Sequence, residues 1–165
     1  MVAFGHTAVG ASVGLLSYQA FGQNNPIVGL FGAGTLGVIS HYVTDFIPHG
    51  HFMKTKDFQQ KIFWVILFDL LLSIIIFSYS GFASSGISLK LFYILFGIGG
   101  AQLPDVLDGL IYIKVLPRKG FFKIENNFHQ WLHWHGKGEN ALTIGLRDTW
   151  QLLAILLSLY LILGH

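Results

Sequence analysis

Long uninterrupted apolar stretches are the main pattern along this chain. A helix needs about 20 apolar residues to cross the hydrocarbon core of a bilayer. Four stretches reach that length, and they cover residues 2–21, 26–46, 62–82 and 89–113. We predict that each of these stretches forms one membrane-crossing helix. The first is not expected to be a cleavable signal peptide, because it has no basic region before it and its apolar run is too long.

A fifth apolar stretch, 150–163, is shorter, at about 14 residues. It crosses a bilayer only if its helix extends back past Arg147 and Asp148, or if the bilayer thins locally. With this helix placed at approximately 145–163, the pattern predicts an all-α integral membrane bundle of about five transmembrane helices. The whole chain, 1–165, is then a single polytopic membrane domain.

The segment 121–135, between the fourth and fifth stretches, mixes apolar and basic residues. Its apolar members are Phe121, Phe122, Ile124, Phe128, Trp131, Leu132 and Trp134. Aromatic rings favour the headgroup region and flanking lysines favour anionic lipid, so we predict an interfacial helix on the cytoplasmic leaflet. Such a helix would hold His129 and His133 over the end of the bundle. An aromatic plug without chemistry is the alternative.

Basic residues predict the orientation of the bundle. Every Lys and Arg except Lys90 lies in the loops 47–61 and 114–149 or at their edges. These two loops are on the same side of the predicted bundle, and an excess of basic residues marks the cytoplasmic side. We therefore expect a cytoplasmic N-terminus and an external C-terminus.

Composition agrees with a membrane protein and limits the chemistry. Hydrophobic residues make up 53% of the chain and charged residues 11%, and the mean hydropathy is +0.59. A soluble domain carries about a quarter charged residues, so too little polar surface is present to cover one. Cysteine is absent, which excludes disulfides and thiolate ligands and leaves imidazole and carboxylate for any metal. The net charge of +2 is spread over loops, and we expect no nucleic-acid partner.

Ionisable residues in or beside the apolar stretches gather at the predicted cytoplasmic end. Such groups cost several kcal/mol in a bilayer, so each needs a partner or a purpose. The set comprises His6, His41, Asp45, His49, Asp69, Asp105, Asp108, His129 and His133. The predicted outer loops, by contrast, contain no His, Asp or Glu. This convergence predicts a metal-binding or proton-handling site at one end of the bundle.

Spacing within the set favours a divalent metal. His41 and Asp45 are four residues apart, as are His129 and His133, and residues so spaced share one face of a helix. Imidazole and carboxylate are ligands for zinc, manganese or iron, of which we expect zinc. Asp69, His129 and His133 are the candidates for proton transfer. The candidate metal ligands are His6, His41, Asp45, His49, Asp105 and Asp108.

Structural interpretations of the same residues stay open. His6 could be a helix-packing residue, and His41 with Asp45 could be a hydrogen-bonded pair that satisfies itself. Asp105 could cap a helix, and Asp108 could lie in a turn. For the whole cluster, the alternatives are a non-enzymatic scaffold, a metal or proton transporter, and haem ligation by His6 and His41.

Small residues four apart predict close helix packing. Gly10 and Gly14 share one face of the first helix, and Gly29, Ala33 and Gly37 share one face of the second. Faces without bulky side chains let membrane helices approach closely. We expect these two faces to bring the first and second helices together.

Several short motifs together resemble one family. They are His6-x-x-x-Gly10, the stretch 40–49 (Ser-His-Tyr-Val-Thr-Asp-Phe-Ile-Pro-His), Pro104-Asp105-x-x-Asp108, and the late His129 and His133. The chain resembles the prokaryotic membrane-bound metal-dependent hydrolases, an inner-membrane family distantly related to zinc-dependent phospholipase C.

The resemblance implies a site and a substrate class. It implies that His6, His41, Asp45, His49, Asp105 and Asp108 bind metal or support its ligands. It also implies that the substrate is a phosphoester or ester of a lipid or lipid-linked molecule. The motif order differs from that of better-known members, and Gly109 stands where their aspartate run ends in His.

Overall fold

The computed structural model describes residues 3–22, 24–46, 88–134 and 141–163, together with the isolated positions 71, 74, 75 and 78. Side chains are described from residue 5 onwards in the first range, up to 132 in the third and from 149 in the last. Within these ranges the chain is all-helical and has no strand. The helices are α1 (Ala3–Phe21), α2 (Pro26–Phe46), α3 (Leu89–Tyr112), α4 (Gly120–Trp134) and α5 (Ala141–Leu163).

The all-α expectation is confirmed, and four of the five predicted spans coincide with helices. α2 has the expected bounds, and α1 and α3 differ from theirs by one residue. α5 reaches back through Arg147 and Asp148 and is 23 residues long, which is enough to cross a bilayer. The predicted third span, 62–82, lies outside the described residues except for the isolated positions. α4 coincides with the predicted interfacial segment.

Local sequence explains where several helices begin. α2 starts at Pro26, whose missing N–H and fixed φ suit the first position of a helix. Ser88 caps α3, and its side chain accepts a hydrogen bond from the backbone N–H of Leu91. α4 starts at Gly120, whose φ of +54° is the left-handed conformation that glycine adopts without strain.

Two described helices, α2 and α3, are long and apolar enough to cross a membrane. Their outward faces carry apolar side chains that the rest of the described structure leaves exposed, and the outward face of α5 does the same. These residues include Ile27, Phe31, Ile39, Phe92, Val106, Leu153, Leu157 and Tyr160. An outer surface of this kind buries its apolar groups only in lipid or against another apolar chain.

Glycine faces bring α1 and α2 against α3. A Cβ atom at Gly10 or Gly37 would collide with the backbone carbonyl of Gly97 on α3, and one at Gly14 would collide with the backbone of Tyr93. Sequence analysis had expected these faces to join α1 to α2. α1 and α2 do contact each other, and both glycine faces also meet α3, which contributes its own glycines to the contact.

Helix direction determines which ends meet. The Tyr93 hydroxyl, early in α3, donates to the carbonyl of Pro26 at the start of α2. The imidazole of His41, late in α2, reaches the carbonyl of Ala101, late in α3. α2 and α3 therefore run parallel, and α1 runs against them, with Gly14 near Tyr93. The start of α1 and the ends of α2 and α3 share one end of the bundle.

Candidate metal centre

Four helices bring six of the predicted site residues together at this end. α1 contributes His6, α2 contributes His41 and Asp45, α3 contributes Asp105 and Asp108, and α4 contributes His129. His49 and Asp69 lie outside the described residues. His133 lies on α4, and its side chain is likewise outside them. Asp105 and Asp108 are both inside α3, so neither is a helix cap or a turn residue.

The small-residue faces lead directly into the cluster. His6 precedes Gly10 by four residues, His41 follows Gly37 by four, and Asp105 follows Ala101 by four. Because residues four apart share a helix face, the side chains that continue each face point towards the other helices. The close backbone packing therefore positions the cluster.

Three ligand atoms lie at the spacing of neighbouring metal ligands, and a fourth lies close to two of them. His41 Nε2 and His129 Nε2 are 3.0 Å apart, and Asp45 Oδ2 lies 3.1 and 3.2 Å from them. Asp105 Oδ1 lies 3.9 Å from His41 Nε2 and 3.6 Å from His129 Nε2. Zinc bonds of about 2.0–2.1 Å in a tetrahedron place ligand atoms about 3.3–3.4 Å apart. The first three atoms thus have the spacing of zinc ligands, and His41, Asp105 and His129 form a group that could hold a metal ion.

Hydrogen bonds at Nδ1 orient the two imidazoles. His41 Nδ1 lies 2.7 Å from the carbonyl oxygen of Ala101, and His129 Nδ1 lies 3.0 Å from Asp108 Oδ2. Neither oxygen carries a proton, so each Nδ1–H donates and each neutral ring keeps its Nε2 lone pair. Metal-binding histidines use the same arrangement, in which the second nitrogen donates to a carbonyl or carboxylate.

His6 extends the cluster on the other side of Asp45. Its Nε2 lies 3.2 Å from Asp45 Oδ1, but among the described residues this buried nitrogen has no aligned hydrogen-bond partner. The Thr44 hydroxyl donates to backbone carbonyls of α2, and its oxygen lies 3.2 Å from His6 Nδ1, from which it accepts. The third histidine therefore also turns Nε2 towards Asp45.

Asp108 supports His129 rather than facing the ligand atoms. One turn of α4 supplies three donors to its carboxylate: Asn126 to Oδ1, and His129 and Gln130 to Oδ2. Sequence analysis placed Asp108 among the ligand candidates and His129 among the proton-transfer candidates. In the structure α4 presents His129 Nε2 to Asp45 and its Nδ1 to Asp108, and Asp108, Glu125 and His129 form a further group that could hold a metal ion.

The carboxylates control the charge of His129. Burial disfavours its charged form, but hydrogen bonds to Asp108 and Asp45 and the charge of Asp105 outweigh burial and raise the pKa of His129 to about 9. A metal ion at Nε2 would have to replace that proton.

Glu125 and Tyr42 belong to the site, although sequence analysis did not select them. The Tyr42 hydroxyl donates to Glu125 Oε1 over 3.0 Å. A carboxylate oxygen of Glu125 lies within 4.8 Å of ligand atoms of both Asp108 and His129. Burial and the charge of Asp108 raise the pKa of Glu125, although the Tyr42 hydrogen bond opposes that shift. The only signal in the sequence was the four-residue spacing between Glu125 and His129.

Asp105 is the accessible member of the cluster. Its side chain is 37% exposed, whereas those of His41 and Asp45 are fully buried. A site open on one side can admit a water molecule or a substrate, as catalytic zinc sites do.

A scan against family models and searches of curated proteins and solved structures find no match to this chain.

Proposed function

We propose that this chain is a membrane-embedded, metal-dependent hydrolase that cleaves a phosphoester or ester of a lipid or lipid-linked substrate. The observation that carries the proposal is the group formed by His41, Asp105 and His129, with Asp45 Oδ2 beside both imidazole nitrogens and both imidazoles held at Nδ1. A site that only joins helices has no need of Nε2 lone pairs directed at one point.

The donor set favours zinc. Two imidazole nitrogens and two carboxylate oxygens suit zinc, with manganese and iron as the other metals that this chemistry accepts. His41, His129, Asp45 and Asp105 would hold the ion. Ala101 and Asp108 would orient the two histidines, and Thr44 would orient His6, which lies beside Asp45.

The surface around the cluster supports a membrane location and a lipid substrate. α2, α3 and α5 expose apolar side chains, and the proposed bundle adds the segment 62–82 as a further crossing helix. α4 exposes Phe121, Ile124 and Trp131, next to Arg118 and Lys123, a combination that suits an anionic headgroup region. The cluster is at the same end as α4, where the headgroup of a bound lipid would be within reach.

The proposed orientation of the bundle rests on the basic loops, and the proposed membrane rests on the family resemblance. The positive-inside rule puts the cluster on the cytoplasmic side, and the resemblance to prokaryotic membrane-bound hydrolases suggests the inner membrane. In this location the enzyme would act on the cytoplasmic leaflet.

The protein groups would divide the chemistry among them. A bound divalent ion supplies an activated water and polarises a phosphoryl or carbonyl oxygen. The buried pair His41 and Asp45 fixes the position of the ion, and the exposed side of Asp105 leaves room for water and substrate. Asp69 and His133 remain the proposed acceptors of the water proton.

Metal analysis tests the proposal. Protein purified in detergent and loaded with zinc is expected to retain about one equivalent after dialysis. The variants His41→Asn and Asp45→Asn are expected to retain less than about 0.2 equivalents while staying helical. Ser12→Ala is the matched control, since it removes a buried hydroxyl that joins α1 to α5 away from the cluster. Wild-type protein holding less than about 0.2 equivalents would overturn the proposal.

A second candidate function is a scaffold in which the cluster only joins helices. The raised pKa of His129 favours it, because a protonated His129 would already connect Asp45 on α2 with Asp108 on α3. In this case chelators would leave the thermal stability unchanged, and neither nitrogen nor oxygen donors would bind zinc.

A further inference from the structure

Glu125 has an unusual environment for an acidic residue. It is buried, with 7% of its surface exposed, and its Oε1 accepts from Tyr42. Its other oxygen, Oε2, is buried and has no hydrogen-bond partner among the described residues. A charged carboxylate oxygen buried without a partner is costly, whereas a carboxylic acid with a proton on that oxygen is not.

The surrounding charges also favour a proton on Glu125. Asp45, Asp105 and Asp108 already place three carboxylates in the cluster, and a divalent ion balances only two negative charges. Glu125 would add a fourth carboxylate within 4.8 Å of Asp108. Two carboxyl groups this close share a proton more readily than both ionise.

The position of Glu125 suits proton transfer at the metal centre. It precedes the ligand His129 by four residues on α4, so the two side chains share one helix face. The hydrogen bond from Tyr42 fixes Oε1 and leaves Oε2 as the oxygen that can exchange a proton. A catalytic acid acts at hydrogen-bond distance or through one water, and Glu125 borders the cluster within 4.8 Å of a ring nitrogen of His129.

We propose that Glu125 is the general acid of the hydrolase, which donates the Oε2 proton to the leaving oxygen of the substrate. This inference rests on the proposed function. Water attacks the phosphorus and gives one proton to a base in the site, the bond from phosphorus to the leaving oxygen breaks, and that oxygen takes the Glu125 proton. The base then passes the proton it took from water to the Glu125 carboxylate, so both groups return to their starting states and atoms and charge balance over one turnover.

A second cation site at Glu125 is the less favoured reading of the same residues. Asp108 would have to be its other carboxylate ligand, but its two oxygens already accept hydrogen bonds from Asn126, His129 and Gln130. His129 Nδ1 is occupied by Asp108 as well. Among the residues whose side chains the structure describes, too few ligands therefore remain for a second ion.

Two substrates that differ only in their leaving group provide the test. Zinc-loaded wild-type protein and Glu125→Gln are assayed in lipid nanodiscs with dioleoyl phosphatidylethanol and with dioleoyl phosphatidyl-4-nitrophenol. Ethoxide is a poor leaving group that needs a proton, whereas 4-nitrophenolate leaves as the anion. Asn127→Ala, an exposed change on the same helix, is the control, and zinc content is measured for every variant.

We expect Glu125→Gln to lower ethanol release by about 100-fold or more and 4-nitrophenol release by less than about threefold, since general acids contribute about 10²–10⁴-fold. Zinc content should equal that of wild type. Equal losses on both substrates, or the loss of one zinc equivalent, would overturn the inference and leave the proposed hydrolase standing. Wild-type protein that binds zinc but cleaves neither lipid would overturn the proposed function itself.

Glu125→Asp covers the case in which Glu125→Gln does not fold. The shorter side chain keeps an acid but moves its proton, so ethanol release should fall less than with Gln while 4-nitrophenol release stays near wild type. Equal loss on the two lipids in this variant would also count against the acid role.

Discussion

His41 and His129 face each other through their Nε2 atoms at 3.0 Å, although 88 residues separate them in the chain. Both rings already donate from Nδ1, so two neutral rings would direct two lone pairs at one another. Such an arrangement needs a cation between the nitrogens, and that cation is a proton on His129 or a metal ion. A proton and a metal ion at this position have different effects on stability and on its dependence on pH.

Asp108→Asn should weaken metal binding without abolishing it. The amide can no longer accept from His129 Nδ1 with a full negative charge, and loss of such a support typically costs 10–100-fold in metal affinity. Competition with a zinc chelator measures the affinity. An unchanged affinity would show that Asp108 does not orient His129.

Metal binding should become tighter as the pH rises. The pKa of His129, raised to about 9, means that at neutral pH a proton must leave before Nε2 can bind the ion. Affinity is therefore expected to rise by up to about tenfold per pH unit below about pH 9. A chelator competition series at several pH values measures this slope, and a flat series would contradict it.

Metal-free protein should show the opposite pH trend in stability. The interactions that raise the pKa of His129 stabilise the folded protein. This stabilisation is fully present below pH 6.5, the pKa of histidine in the unfolded chain, and is lost as the pH rises through about 9. Thermal unfolding of chelator-treated protein should therefore occur at lower temperature above pH 9. In His129→Gln this dependence should disappear.

Gly97→Ala should disrupt the site from a distance. A Cβ atom at Gly97 would collide with the carbonyl of Gly10 and the backbone of Gly14, so α1 and α3 must separate. Separation moves His6 away from Asp45, and both thermal stability and zinc content should fall. Gly99→Ala is the matched control on the same helix, because its Cβ would meet nothing within 4 Å, and it should behave as wild type.

Removing the metal should loosen α4 more than the other helices. α4 joins the bundle through His129, Asn126 and Gln130, whereas α1, α2 and α3 are held by backbone packing. Hydrogen exchange in Gly120–Trp134 should therefore accelerate after chelation while exchange in α3 changes little. Equal acceleration in both helices would show that the ion holds the whole bundle.

The apolar pattern predicted the helices well because length and hydrophobicity alone decide a membrane-crossing stretch. The depth of each ionisable residue in its apolar stretch, and the end of the stretch at which it lies, also predicted that His6, His41, Asp45 and Asp105 would meet. A buried ionisable residue must find a partner. These arguments need no knowledge of which helices are neighbours.

The division of roles within the cluster could not be predicted in this way. Whether Asp108 is a ligand or a support depends on the rotation of α4, which the sequence does not reveal. Glu125 and Tyr42 were missed because an acidic residue in an amphipathic segment usually faces water. The contact of Gly10 and Gly37 with α3 was missed because a small-residue face identifies a close contact but not every helix that it meets.

The four helices that supply the cluster span most of the chain, from His6 to His129. A ribosome must therefore complete α4 before the last imidazole can reach Asp45, and until then the buried carboxylate lacks one of its partners. In the proposed metalloenzyme, an ion that needs His129 as a ligand would consequently bind only late in the synthesis of the protein. A chain truncated before Gly120 would keep α1, α2 and α3 but would lack His129. Retention of an ion would therefore show that α4 has joined the other helices.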